Sequence, residues 1–515
     1  MLTKIRRLTQ GFFLLLFLWL FLQTQSKGAN DLGYPVKIFL DADPLIFITT
    51  ALSTRQLDSP LLLALLVILA TIFLGRVFCG WVCPLGTLHN MAACLKKKRF
   101  VAKPFNAYRW KYYILIFLLI SSVFTLQLAG IMDPIALLIR SLSLAVYPML
   151  HYITVSIFDT LYSWHLPLIT DASESIYGLL KRVFLSFQQP FFHQAIFIGL
   201  VFLAILALNL LERRFWCKYL CPLGALLGLF SRYAVLNRTV SEGCDGCGIC
   251  RGSCQGAAGP DLKEKWSKSE CMACMNCDDI CPKNAVHFGF STKASGASLD
   301  MGKRRVIGSI LAGAIAVPLL RITPLTKAGA SEPLLIRPPG SREEKEFLRR
   351  CVKCGECMKV CITGGLQPAF LESDLEGIWS PVLVPRIGYC EYRCTLCGQV
   401  CPTGAIRNLS VEEKAKVKIG LAMIDTGRCL PFAHGMSCIV CEEVCPTPKK
   451  AIRFEEVRVE DRDGRARILK QPHVELDLCI GCGICETKCP VLGRPAITVT
   501  SIGESRSKDN QLLLS

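Results

Sequence analysis

The chain has 515 residues, a formal charge of +18 and 29 cysteines, and its mean hydropathy is +0.39. It is too long for a small disulfide scaffold and too apolar for a disordered polymer, so two or more domains with ample core are expected. Only Cys79, Cys83 and Cys94 precede residue 217; the others cluster at two- and three-residue spacings, as soft-metal ligands must and scattered disulfides need not, so the cysteines read as ligands.

Uncharged apolar stretches cover residues 8–26, 59–75, 112–132 and 183–211. Each is near the ~20 residues a spanning helix needs, which predicts four membrane helices. Lys4, Arg6 and Arg7 precede the first stretch, which reads as an anchor because hydrophobic spans follow and no small-residue cleavage site is evident. Lys and Arg near a span favour the cytoplasm. That assigns the N-terminus, the loop with Arg76, Lys96, Lys97, Lys98 and Arg99, and the exit at Arg213 and Arg214 to the cytoplasmic side. Residues 133–192 then face the periplasm, with 141–158 apolar enough to enter the interface and Pro148 and His151 arguing against a plain span.

Two of these exits repeat one another. The first reads Arg76-Val-Phe-Cys79-Gly-Trp-Val-Cys83-Pro84-Leu85-Gly86, the second Arg214-Phe-Trp-Cys217-Lys-Tyr-Leu-Cys221-Pro222-Leu223-Gly224. This is the mark of a duplicated helix pair. On a continuing helix a spacing of four puts both sulfurs on one face, the following Pro and Gly would stop the helix, and the preceding Arg favours thiolate. A single C-x3-C-P reads as a buried structural pair; repetition makes Cys79, Cys83, Cys217 and Cys221 a candidate redox junction. Cys94 stands alone.

From residue 244 the composition changes. Cys244, Cys247, Cys250 and Cys254 have the spacing C-x2-C-x2-C-x3-C, and Cys271, Cys274, Cys277 and Cys281 repeat it, followed by Pro282. In two-cluster bacterial ferredoxins with this spacing, the first three cysteines bind one cubane and the fourth ligates its partner. One [4Fe–4S] cluster is thus assigned to Cys244, Cys247, Cys250 and Cys281, the other to Cys271, Cys274, Cys277 and Cys254. Zinc sites use separated C-x2-C units, which disfavours zinc here.

Residues 302–330 begin Gly302-Lys303-Arg304-Arg305, continue with fifteen uncharged residues (306–320) and end at Thr326 to Ala330. An Arg pair before an Ala- and Gly-rich apolar segment suits a twin-arginine export signal, with cleavage after Ala330 as one outcome; the competing reading is a basic flank on a fifth apolar helix. Four more cysteine groups follow. Cys351, Cys354, Cys357 and Cys361 keep the ferredoxin spacing, as do Cys479, Cys482, Cys485 and Cys489. Cys390, Cys394, Cys397 and Cys401 widen the first gap to three residues, and Cys429, Cys438, Cys441 and Cys445 widen it to eight. The shared irregularity suggests nested pairing, outer group with outer and inner with inner, with sequential pairing as the alternative. Short apolar returns at Ala285-Val286, Ala405-Ile406, Ala451-Ile452 and Ala496-Ile497 suit the small strands that cover such clusters.

On these motifs the first 300 residues resemble NapH and the NosR-related membrane polyferredoxins, and residues 303–500 look like the NapG/MauM polyferredoxins, so the chain resembles a NapH–NapG fusion. The resemblance implies a quinol dehydrogenase module that passes electrons from the membrane pool to a periplasmic cytochrome or reductase. Assembly or maintenance of a periplasmic metalloenzyme, or service as the iron–sulfur anchor of a larger dehydrogenase, are the alternatives.

The expected architecture is an α-helical membrane domain plus α+β ferredoxin-like iron–sulfur domains, one with two clusters and one with four. Its parts are residues 1–216 with the first C-x3-C-P, 217–300 with the second and two clusters, 301–330, and 331–515. The expected location is the bacterial inner membrane, multi-pass, with 217–300 cytoplasmic and 331–515 periplasmic. Six [4Fe–4S] clusters and a quinone are the expected cofactors and substrate. No C-x2-C-H occurs, which excludes covalent c-type haem, and His151 and His193 read as structural. No dinucleotide fingerprint or P-loop is seen. Each oxidised cluster with four thiolates carries −2, so six reduce +18 to about +6; the basic chain compensates its own cofactors and implies no nucleic acid.

Overall fold

The computed structural model of the chain describes residues 2–26, 30–57, 62–94, 107–164, 167–186, 188–259, 266–291, 301–321, 335–460 and 466–511. Lys96 to Arg99 and the 326–330 end of the export-like segment lie outside them.

A helical bundle opens with α1 (Leu2–Gln23). Next, α2 (Pro44–Thr54) starts at Asp43, whose side chain accepts from the N–H groups of Leu45 at 2.7 Å and Ile46 at 3.2 Å, with Pro44 in the first turn. Then α3 (Leu63–Leu74) leads through a π turn, Phe78–Val82, into α4 (Pro84–Cys94). After α5 (Trp110–Val123) the order repeats. Asp133 caps α6 (Pro134–Ser141) through Ile135 at 2.9 Å and Ala136 at 2.8 Å. A π turn at Leu142–Val146 joins α6 to α7 (Tyr147–Ser163), which pairs with α8 (Pro167–Val183) through Phe158 and Tyr177. Then α9 (Ala195–Ala207) runs to a π turn, Trp216–Leu220, and α10 (Pro222–Ser231). The duplication therefore reaches back to an Asp-Pro cap in each half.

Helix lengths differ from the expectation. Among the described residues, two helical runs, Leu2–Gln23 and the 30-residue Pro134–Ser163, are long and apolar enough to cross a membrane. The stretches at 59–75, 112–132 and 183–211 form helices of 12, 14 and 13 residues, about 18–21 Å at ~1.5 Å per residue. Gly75 (φ 76°), Thr125 (φ 68°) and a 3-10 turn at Leu208–Leu210 end them early. Residues 141–158 lie inside the 30-residue run: Pro148 follows directly on the π turn at Leu142–Val146, where the regular i→i−4 ladder is already interrupted.

A first ferredoxin-like module follows. β1 (Leu236–Val240) pairs antiparallel with β2 (Val286–Phe290), Leu236 opposite Phe290, so the strands before and after both cysteine runs close on each other. The helix α11 (Lys303–Arg321) then packs along α5, where Gly313 meets Phe117 and Ile120 and its carbonyl faces the Ser121 hydroxyl at 3.4 Å. The C-terminal part holds two more such units. Ser341 bridges Ile406 around the first, which carries the hairpin of β3 (Leu366–Pro368) and β4 (Pro381–Leu383). β5 (Leu421–Ile424) pairs with β8 (Ile497–Thr500) around the second, which carries the pair of nine-residue strands β6 (Ile452–Glu460) and β7 (Ala466–Val474). The apolar returns at Val286, Ile406, Ile452 and Ile497 all fall in these pairings.

The modules grip opposite ends of the bundle. At the start of α1, Thr3 donates to Asp279 (2.8 Å) and Arg6 to Asn276 (3.1 Å); at its end, Lys359 donates to the carbonyls of Phe21 and Thr24. At the start of α5, Lys111 and Tyr112 bind Glu270; past its end, Lys353 donates to the Gln127 carbonyl at 2.7 Å. Arg321, closing α11, pairs with Glu376 at 2.9 Å.

Candidate iron–sulfur sites

Four cavities among the described residues are walled by cysteine quartets. In the C-terminal part, Cys351, Cys354, Cys357 and Cys401 line one. Cys429, Cys438, Cys441 and Cys489 line a second, and Cys445, Cys479, Cys482 and Cys485 a third. Cys390, Cys394 and Cys397 all interact electrostatically with Cys361. In every case three cysteines of one group meet the fourth of the neighbouring group in sequence, so the pairing is sequential and the nested arrangement is corrected. The unequal gaps misled because they lengthen a loop without moving the strands, and it is the strand pairs around residues 341–406 and 421–500 that define each unit.

The N-terminal module follows the same scheme. Cys254 interacts with Cys274, and Cys271 and Cys277 with both Cys254 and Cys274. The loop of Cys244 and Cys247 is tied to that of Cys281 by Lys283 and Asp245, 3.2 Å apart, and Cys281 accepts from the Ala285 N–H at 3.3 Å.

The chemistry of these donors fits cubanes. Burial pushes the thiols of Cys254 and Cys390 up to about 11 and those of Cys277, Cys441 and Cys482 to about 12; buried thiolates at neutral pH therefore need bound metal to compensate them. Sulfurs around one zinc, with Zn–S about 2.3 Å, sit roughly 3.8 Å apart. Among the described residues no three His, Cys, Asp or Glu side chains close on a point tightly enough for a single ion.

The fourth cavity lies in the bundle, walled by Cys79, Cys83, Cys217 and Cys221 with Arg76 and Pro134. Local geometry departs from the expected helix face. Cys79 and Cys217 lie in the π turns Phe78–Val82 and Trp216–Leu220, while Cys83 and Cys221 have extended backbone and the Pro-Leu-Gly after each begins a new helix instead of ending the old one. A π turn suits this because it widens the helix by one residue where a site needs room.

Sequence reasoning missed the polar groups that seat this region. Glu270 accepts from Lys111 and from Tyr112 (2.7 Å) and faces Arg76 at 3.6 Å, joining the N-terminal module to α3 and α5. Asp43 and Asp133, both fully buried, interact with each other across the two halves. The doubled Asp-Pro was a legible signal for the second pair; nothing local in the sequence marks the first. His151 is buried and 3.4 Å from the Ser186 carbonyl, and the backbone N–H of His193 donates to Gln367 at 3.2 Å.

A family model described as "4Fe-4S binding domain" matches residues 59–100 and 192–241, and a second of the same description matches 472–492. The chain is 34% identical over 211 residues to the ferredoxin-type protein NapG of Escherichia coli, covering 40% of this chain and 89% of that protein. It is 34% identical over 175 residues to the methylamine utilization ferredoxin-type protein MauM of Methylorubrum extorquens, covering 33% and 75%. An uncharacterised protein of Methanocaldococcus jannaschii is 26% identical over 227 residues, 44% of this chain and 77% of its own. No solved structure matches.

Proposed function

We propose that this chain, which belongs to the ferredoxin-type iron–sulfur family of NapG and MauM, spans the bacterial inner membrane as a NapH–NapG-like fusion and carries electrons from quinol to a periplasmic cytochrome or reductase. The observation that carries the reading is the seating of two cysteine-rich modules at opposite ends of one helical bundle, with α1, 22 residues long, running between them. Such a helix is about 33 Å long, close to the ~30 Å of a bilayer core. Lys4, Arg6, Arg7, Arg76, Arg213 and Arg214 gather at the end that carries residues 236–291, which favours that end as cytoplasmic. The other end, with residues 335–511, then faces the periplasm. Helix α11 runs from the Arg304-Arg305 pair at the first end to Arg321, which meets Glu376, at the second, and lies along α5, so the export-like segment also packs as a further helix of the bundle.

Bound [4Fe–4S] clusters supply one-electron transfer. The chain's own part is to hold them in fixed order, through the apolar walls of the cavities in the C-terminal part and the buried ties between modules and bundle. The test uses the purified chain in sealed vesicles whose lipid contains a quinol. A membrane-impermeant acceptor should be reduced when the 335–511 end faces it and at a tenth of that rate or less in the opposite orientation. Equal rates in both orientations, or rates independent of quinol, would overturn the reading.

A further inference from the structure

We infer that Cys79, Cys83, Cys217 and Cys221 together hold a seventh [4Fe–4S] cluster, shared between the two halves of the bundle. The 4Fe-4S model matches each half separately, and each match contributes only two thiols to the common cavity. Neither half alone has the four ligands a cubane takes. The structure brings the pairs together on one cavity: Cys83 interacts with Cys217 across the halves as well as with Cys79 in its own motif, and Cys221 interacts with all three others. The four therefore line one cage shared by the two halves, not two separate pairs at different sites.

The surroundings are built for an anion. Cys83 and Cys221 directly precede α4 and α10, eleven and ten residues long, and Cys221 accepts from the Gly224 N–H at 3.3 Å; a helix start favours negative charge. Arg76 and Arg214 are both fully buried. Each reaches across to the glycine of the other motif: Arg214 donates to the Gly86 carbonyl at 2.9 Å, and the Arg76 guanidinium lies where a side chain at Gly224 would be. The other acceptors of Arg214 are neutral: Asn90, the Cys79 carbonyl and Met272, with no carboxylate among the described residues. Arg76 lines the cavity with its Nε and one terminal nitrogen unpartnered. An isolated buried guanidinium is costly unless an anion faces it.

Charge arithmetic points to the same occupant. Arg76, Arg214 and Lys111 bring +3 and Glu270, which pairs with two of them, −1, leaving +2. An oxidised cubane with four thiolates carries −2 and neutralises the site. Four unliganded protonated thiols would leave that +2 buried. The assignment does not depend on membrane orientation or on quinol, so its test and the vesicle test fail separately.

The experiment is iron and acid-labile sulfide analysis, with Mössbauer spectroscopy, on the full chain purified anaerobically in detergent. Seven cubanes give about 28 iron atoms per chain, six about 24. About 24 overturns the proposal, as does about 26 with a [2Fe–2S] spectrum or one zinc in place of the missing iron. The double variant Cys79→Ser/Cys217→Ser should lose about four irons and keep the other six centres, whereas Cys94→Ser should lose none. Should the double variant not fold, the native count stands alone, and Arg214→Gln gives a second reading. It should shift the midpoint potential of one centre and leave the rest in place; an unchanged set of potentials tells against the site.

Discussion

Glu344 shows how the C-terminal module is tied down by charge. Its carboxylate accepts from Arg337 at 2.6 Å and 3.1 Å and from Arg506 at 2.6 Å, joining the short helix Glu344–Arg350 to a residue far along the module. Burial alone would raise its pKa, but the two guanidiniums outweigh burial and hold it at about 2, against an ordinary 4.5. A depressed carboxylate contributes stability that is complete above about pH 4.5 and lost as pH falls toward 2. The shift corresponds to at most about 3 kcal/mol; with 32% of the side chain exposed, solvent reduces that to about 1–2 kcal/mol. Glu344→Gln should therefore lower the thermal midpoint at pH 7 by about 2–8 °C, and the difference from the native chain should shrink at pH 3. An equal deficit at both pH values would mean that the residue acts through shape, not charge.

At the level of elements, the three ferredoxin-like units share one plan in which an antiparallel strand contact closes two cysteine groups. The groups themselves were readable from spacing, because three ligands on one tight loop leave a local signature. Their partners were not. A fourth ligand comes from wherever the strands bring the next group, and strand pairing depends on burial of Ile406, Leu421 and Ile497, not on loop length. Sequential pairing has a spectroscopic consequence. Cys401→Ser should perturb the centre of Cys351, Cys354 and Cys357 and leave that of Cys390, Cys394 and Cys397 with its native signal. Under the nested scheme Cys401 would serve a cluster near Cys438 instead, so a perturbed signal from the Cys429 group would reverse the correction.

Across the whole molecule, two glycines mark where the modules meet the bundle. A side chain at Gly80 would run into the Met272 carbonyl of the first module, and one at Gly130 into the Val352 carbonyl of the second. Both are close backbone approaches that only glycine permits. Gly80→Ala should loosen residues 236–291, and Gly130→Ala residues 335–511, each by about 1–3 kcal/mol of overpacking. Limited proteolysis of the detergent-solubilised chain should show faster cleavage of the corresponding module only; uniform loss of protection would contradict separate docking at two ends.

Spacing and composition alone carry the cysteine inventory, the duplicated Arg-x-x-Cys motif and the apolar stretches, since metal ligation, hydrophobicity and helix capping act over a few residues. Which cysteine completes which cluster, the convergence of Cys79, Cys83, Cys217 and Cys221 on one cavity, and the meeting of Lys111 with Glu270 over 159 positions all depend on the packed chain. So do the true helix limits at Gly75 and Thr125. The reason is physical: ligand cages and buried ion pairs are closed by groups distant in sequence, and only packing of the two halves and three modules brings those groups within bonding range.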